Sequence, residues 1–222
     1  MLLFAILYTV FAKILKMGGD IPHYSVYLMT GTVFWSFFSE CTSQGIQAIV
    51  GRSDLLRKIS FPKWIIVVSS TITALINFLI NLCVIIVFAL LNGVTPSLTW
   101  LLAPLVILEL YLLSLGIAFF LGSINVKYRD ISSIWEVLMQ ALFYAVPIIY
   151  PITMVSASSA FAAKILLLNP IAQVIQDARF LLITDQSITV WNFIDNIFLR
   201  FLPVLITLFI LTIGSIYFRK HS

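Results

Sequence analysis

Residues 65–91, IIVVSSTITALINFLINLCVIIVFALL, run without one charged side chain. A helix of about twenty apolar residues spans the hydrocarbon core of a bilayer. Backbone polar groups in that core must bond internally, so only helices and closed barrels cross it. Barrel strands alternate lipid-facing and lumen-facing residues, and this run does not alternate. Composition agrees: the chain is 61% hydrophobic and 10% charged, with a mean hydropathy of +1.10, where soluble domains are about 45–50% apolar and about 25% charged. The expected fold class is therefore an all-α polytopic membrane protein.

Hydropathy divides the 222 residues into about six spans, near 1–15, 26–50, 64–92, 98–124, 132–151 and 198–218. The first is cut short, since only about fifteen residues precede Lys16 and a span needs about twenty. The chain thus reads as beginning part-way through a helix. Residues 152–197 are only moderately apolar and are broken at Asn169-Pro170. A residue before proline is biased away from helix, so two half-length helices at a membrane surface are expected there. The start has no basic region and no small-residue cleavage site, so it does not read as a signal peptide. No soluble domain is fused on and no internal repeat is visible, so 1–222 reads as a single transmembrane domain.

The cations orient these spans, because Lys and Arg concentrate in cytoplasmic connections. One set of alternate connections holds Arg52, Arg57, Lys58, Lys63, Lys127, Arg129, Arg219 and Lys220; the other holds Lys13, Lys16, Lys164, Arg179 and Arg200. The first set is larger and clusters closer to span ends. It is assigned to the cytoplasm, which puts the C-terminus inside and residues 152–197 outside.

Catalytic and metal-binding patterns are missing. His23 and His221 are the two histidines, Cys41 and Cys83 lie within apolar stretches without a pairing pattern, and no phosphate-binding G-x-x-x-x-G-K-[ST] loop occurs. A membrane enzyme is thereby disfavoured, and the chain has no loop of its own for ATP. Three acids fall in or near spans: Glu40, Glu109 and Glu136. Buried acids either line a polar path or bond between helices; Asn77, Asn81 and Gln140 are available partners. Ser114, Ala118 and Gly122 recur every fourth residue and share a helix face that permits close backbone approach. Such a face serves an intrachain contact or a dimer seam equally well. The aromatic stretch FYAVPIIYP (143–151) reads as an interfacial belt, or as flat surfaces for sugar rings.

The segment 52–64, RSDLLRKISFPKW, has a local design of its own. Ser53 can cap a helix and Asp54 suits its first turn. Leu55, Leu56 and Ile59 fall on one side and Arg57 and Lys58 on the other. Pro62 then biases Phe61 out of helix. A short amphipathic helix at about 53–61 is expected along the cytoplasmic face.

Taken together, GTVFWSFFSECTSQGIQAIVGRSDLLRKISFPKW (31–64), NVKYRDIS (125–132), FYAVPIIYP and LLLNP (166–170) resemble, in order and spacing, the permeases of type-2 ABC exporters of polysaccharide. The hallmark positions are Gly31, Trp35, Phe37, Phe38, Glu40, Gly45, Leu55, Lys58, Phe61 and Pro62. The likeness covers nearly the whole chain, although the family carries a further N-terminal interfacial helix. It implies a homodimer with a channel between subunits, two separately encoded ABC ATPase subunits that use ATP and Mg, and a lipid-linked glycan substrate such as O-antigen, teichoic acid or capsule. By this likeness the chain itself binds no cofactor, metal or nucleic acid and is not an enzyme; it works in the cytoplasmic membrane. The 53–61 helix would be the coupling helix, with Asp54, Leu55, Leu56, Arg57, Lys58 and Phe61 meeting the ATPase beside Lys127, Arg129 and Asp130 of the 126–131 loop. Trp35, Phe38, Glu40, Phe143, Tyr144 and Tyr150 would face the glycan, and residues 157–183 would form outer re-entrant gate helices. The rival readings are a drug- or lipid-exporting permease of the same type, and an ATP-independent channel or carrier.

Overall fold

In the computed structural model the described residues are Thr9, 21–51 and 62–221. Apart from Thr9 the first expected span lies outside them, as does the 53–61 segment with Asp54, Leu55, Leu56, Arg57, Lys58 and Phe61. Every regular element among the described residues is helical. Helix α1 spans Tyr24–Gly51 and α2 spans Lys63–Leu91; a 3-10 turn, Leu98–Leu102, leads into α3, Ala103–Lys127. Then follow α4 (Ile131–Ala145), α5 (Ile152–Ser158), α6 (Ala160–Leu167), α7 (Pro170–Leu182), α8 (Val190–Phe193) and α9 (Ile197–His221).

Local chemistry explains where these helices begin and stop. Helix α2 ends at Gly93, whose φ of 84° is a left-handed conformation that glycine adopts without a Cβ penalty. The Val94 N–H donates to the Ala89 carbonyl at 3.0 Å and the Gly93 N–H to that of Leu90 at 3.1 Å, a pairing that satisfies two terminal carbonyls. Helix α4 ends at Ala145, just before Pro147, so the fifth apolar stretch forms 15 helical residues instead of the whole of 132–151. Helix α7 begins with Pro170 in its first turn, and the Asn169 side chain accepts the Ile171 N–H at 3.0 Å. Helices α6 and α7 meet at 94°, which bears out two half-length helices broken at Asn169-Pro170.

Among the described residues, α2, the 3-10 turn with α3, and α9 are each long and apolar enough to cross a membrane, and the bent α6–α7 pair could supply a fourth crossing. Helix α1 is as long, at 28 residues, but carries Thr, Ser, Gln and Glu side chains and is more enclosed than α2, α3 or α9. Much of α2 and α9 is exposed and apolar, as at Ile76, Ile80, Phe209 and Ile216, which suits lipid and not water. The protein is a helical multi-pass membrane protein.

Helix α3 is central because small residues let it approach two neighbours. A Cβ on Gly45 of α1 would strike that of Ala118, and one on Gly122 would come within 3.1 Å of the Gly45 carbonyl oxygen. Ser114 is fully buried on the same face and bonds back to the Leu110 carbonyl at 2.7 Å. The Ser114, Ala118, Gly122 face is thus an intrachain seam against α1. On the other side a Cβ on Gly116 would lie 2.7 Å from Leu211 Cα, and one on Gly214 would strike the Gly116 carbonyl. Helices α3 and α9 therefore touch backbone to backbone. Through them Lys63, Lys127 and Arg219 gather at one end of the bundle, called here the basic end.

A side chain forced into a close helix contact costs about 1–3 kcal/mol. Gly214→Val is expected to lose about that much in reversible detergent unfolding. Gly51→Ala, where an added Cβ meets nothing within 4 Å, is expected to change stability by under about 0.5 kcal/mol.

Candidate functional site

Between α1 and α4 lies a groove of about 790 Å³. Thr32, Ser36, Ser39, Glu40 and Ser43 recur every three or four residues and so share one face of α1. Glu136, Met139, Gln140, Phe143 and Tyr144 do the same on α4. Trp35 completes the lining, meeting Phe143 edge-on with ring centres 5.9 Å apart. Phe143 in turn stands against Tyr144 at 5.4 Å, and the Tyr144 ring is largely exposed. The wall therefore alternates hydroxyls, carboxylates and aromatic rings. That mixture suits a ligand with both polar groups and apolar faces.

Four of the six expected glycan-facing residues line this groove: Trp35, Glu40, Phe143 and Tyr144. Two do not. Phe38 shares the α1 face of Phe34 and Cys41, is fully buried, and packs behind the groove against Trp135 at 6.4 Å. Tyr150 lies past the end of α4, where its hydroxyl donates to the Ala145 carbonyl at 3.1 Å. Position on the helix decides the case of Phe38, since one residue's step turns a side chain by about 100°, while Tyr150 is placed by the non-helical backbone after Ala145.

The three acids behave differently. Glu40 Oε1 accepts from Gln44 Nε2 at 2.8 Å and from Asn77 Nδ2 at 2.9 Å, so it both lines the groove and ties α1 to α2. Glu109 faces away and meets Gln173 Nε2 at 3.4 Å. Glu136 is exposed in the groove and has no hydrogen bond among the described residues. No group of three metal-ligating side chains converges among those residues.

Helix α4 is held to the bundle at a few points. The Trp135 indole N–H donates to Thr42 Oγ1 at 3.0 Å, and only Trp135 and Met139 are buried along the helix. At the basic end, residues 126–130 are exposed, which leaves Lys127, Arg129 and Asp130 accessible. Lys127 Nζ lies 5.2 Å from the centre of the Tyr128 ring, and the Asp130 side chain makes no cap to α4.

At its other end α4 passes into non-helical backbone at 146–151, and a residue not singled out for the site takes charge. Arg179 on α7 is fully buried. Its Nη1 donates to the Pro147 carbonyl at 2.7 Å, its Nη2 to that of Ile148 at 2.6 Å, and its Nε to that of Tyr27 at 3.1 Å. The guanidinium lies over the Tyr27 ring, 3.6 Å from its centre. The Tyr24 hydroxyl donates to the Ile149 carbonyl at 2.8 Å. Three consecutive carbonyls of the break are thereby bonded by side chains. Gly31 makes this possible, because a Cβ there would strike Arg179 Nη2. The sequence signal for this role is an arginine inside a moderately apolar run, which by itself reads only as a charge in an outer connection.

Residues 1–183 match the family model described as "ABC-2 type transporter". The chain belongs to that family. It is 32% identical over 170 residues to the O-antigen export system permease protein RfbA of Myxococcus xanthus, covering 77% of this chain and 63% of that protein. It thus spans less than two thirds of that relative's length. Two proteins of the same description from Klebsiella pneumoniae are 29% identical over 179 residues and 28% identical over 221 residues. These cover 80% and 99% of this chain, and 68% and 80% of the respective relatives. The groove and the arginine-bonded break are features of this ABC-2 family chain.

Removing the guanidinium leaves the non-helical Pro147 and Ile148 carbonyls without their side-chain donors, at about 1–3 kcal/mol for each buried group, while the Tyr27 carbonyl stays within helix α1. Arg179→Ala is expected to lower detergent unfolding stability by at least about 2 kcal/mol on that count. Arg179→Lys is expected to recover only part, since an ammonium lacks the planar fork. Gly31→Ala is expected to destabilise the wild type but add little to Arg179→Ala, a non-additivity that a double-mutant cycle measures.

Proposed function

We propose that this chain is the membrane subunit of an ATP-driven exporter of lipid-linked polysaccharide across the cytoplasmic membrane, with O-antigen-type glycans the substrate class. The observation that carries the reading is the aromatic and hydroxyl-lined groove in a chain whose three relatives are all described as O-antigen export permeases. Those descriptions favour a glycan over a drug. Trp35, Phe143 and Tyr144 would offer rings to the C–H faces of sugars. Ser39, Glu40, Ser43, Glu136 and Gln140 would exchange hydrogen bonds with sugar hydroxyls as the chain slides past. A groove of many weak contacts suits a moving polymer better than one tight pocket, because the ligand must leave each position as readily as it enters.

Energy enters from a separate ABC ATPase, two copies of which use ATP and Mg on the cytoplasmic side. We place the basic end there, with the C-terminus. The 53–61 segment and the exposed Lys127, Arg129 and Asp130 would receive the ATPase. Helix α4 runs from that loop to the break bonded by Arg179 and Tyr24, and it touches the described bundle mainly along α1. A push on the 127–130 loop would therefore tilt α4 about its secured far end and change the width of the groove. Two copies of the chain would enclose the substrate path between them.

Purified with its cognate ATPase and reconstituted, the chain is expected to form a complex and to move lipid-linked glycan only with ATP. Transport without ATP and without a bound partner would overturn the reading. Trp35→Ala and Tyr144→Ala are each expected to cut transport about tenfold, the equivalent of about 1.4 kcal/mol of ring contact, while ATPase activity persists. Leu55→Ala with Leu56→Ala preserves the charge pattern, so insertion is expected to be normal while ATP hydrolysis and transport become uncoupled.

A further inference from the structure

A second groove, of about 470 Å³, opens at the basic end between the first turn of α2 and the last turn of α9. Its lining is Lys63, Trp64, Phe119, Ser215, Phe218 and Arg219. Phe119 of α3 and Phe218 of α9 form a buried floor, their ring centres 4.9 Å apart. No acidic residue lines it, and neither Lys63 nor Arg219 has a hydrogen-bond or ion-pair partner among the described residues. Two cations, unpaired among the described residues, thus flank an apolar floor that Ser215 also lines.

The surroundings define the ligand further. Trp64 is 53% exposed, the placement of an interfacial indole. From it a stripe at every fourth residue runs along α2 through Val68, Ile72, Ile76 and Ile80, of which the last three are exposed. On α9, Phe209, Ile213 and Ile216 are likewise exposed below Arg219. The site is therefore cationic at its mouth and continuous with apolar surface leading away along the helices. A soluble anion would use only the first property; an amphiphile uses both. Pro62 supplies no side-chain cap to α2, so the helix's free N–H groups add to the positive potential there. The carbonyl end of α9 opposes it with about half a charge, outweighed by Arg219 and Lys220.

We propose that this groove binds the phosphate headgroup of an anionic bilayer phospholipid, with Lys63 and Arg219 on the phosphate and the acyl chains along the α2 stripe. Basic pockets between transmembrane helices have this affinity on general electrostatic grounds. The site lies apart from the α1–α4 groove and shares no residue with it. A bound headgroup would bridge the ends of α2 and α9, both of which rest on α3.

Trp64 provides the test. The full chain is reconstituted in phosphatidylcholine vesicles containing equal mole fractions of brominated phosphatidylglycerol or brominated phosphatidylcholine. The Trp64 contribution is the emission of wild type minus that of Trp64→Phe. Bromophosphatidylglycerol is expected to quench that contribution with about tenfold higher relative affinity, given two cations near the lipid surface. Lys63→Gln with Arg219→Gln is expected to abolish the preference; Lys63→Arg with Arg219→Lys retains the charges and the preference. Lys164→Gln, outside the groove, is expected to leave it intact, and inorganic phosphate is expected not to compete. Equal quenching by the two lipids, or a preference that survives loss of both charges, would overturn the proposal. Competition by inorganic phosphate would overturn the lipid assignment by showing an ion site. Should the double variant not reconstitute, Arg219→Gln alone is read, where an unchanged preference counts against the site.

Discussion

Arg179 and the three carbonyls it shares with Tyr24 form the interaction on which the rest of the structure depends. Non-helical backbone at membrane depth is tolerated only where something bonds its free groups. After α4 the chain leaves the helix for 146–151, and the Pro147, Ile148 and Ile149 carbonyls would otherwise be orphaned. Two belong to Arg179 and one to Tyr24. Among the described residues no carboxylate neutralises this arginine. Asp177, two residues away, instead accepts from Gln173 and from Trp191 at 3.2 Å. The charge is held by carbonyl dipoles and by the face of Tyr27, an arrangement that uses the planar fork fully. One side chain thereby joins α1, the end of α4 and the bent α6–α7 pair.

The same bonding gives the groove its mechanical setting. Its α1 wall belongs to the core, locked to α3 by the Gly45, Ala118 and Gly122 contacts. Its α4 wall is lightly held, by Trp135 midway and by the bonded break at the end. A rigid wall facing a movable one is what a passage of variable width requires.

Much of the fold was legible because its causes are local. Burying uncharged runs such as 65–91 in lipid follows from composition alone. The break at Asn169-Pro170 follows from the steric demand of proline on its predecessor, and the bent pair appears there. Trp35, Glu40, Phe143 and Tyr144 could be placed at a common site because each falls on a face set by helical period. Phe38 and Tyr150 could not. Phe38 differs from Trp35 by the side of α1 on which it falls, which the structure buries behind the groove, and Tyr150 follows a backbone break whose direction no periodicity states.

What the sequence by itself determined is a helical chain in a membrane, the break at Asn169-Pro170, and the small-residue face on α3. Each follows from hydropathy, proline geometry or helical spacing, which need no distant partner. The tertiary structure alone decided what that face meets, which acids see the groove, and what Arg179 does. Ser114, Ala118 and Gly122 fit an intrachain seam or a dimer equally until α1 is seen against them. Arg179 and the Pro147 carbonyl are separated by 32 residues, and Arg179 and the Tyr27 carbonyl by 152. Bonds across such distances depend on how the helices assemble, and no local pattern encodes them.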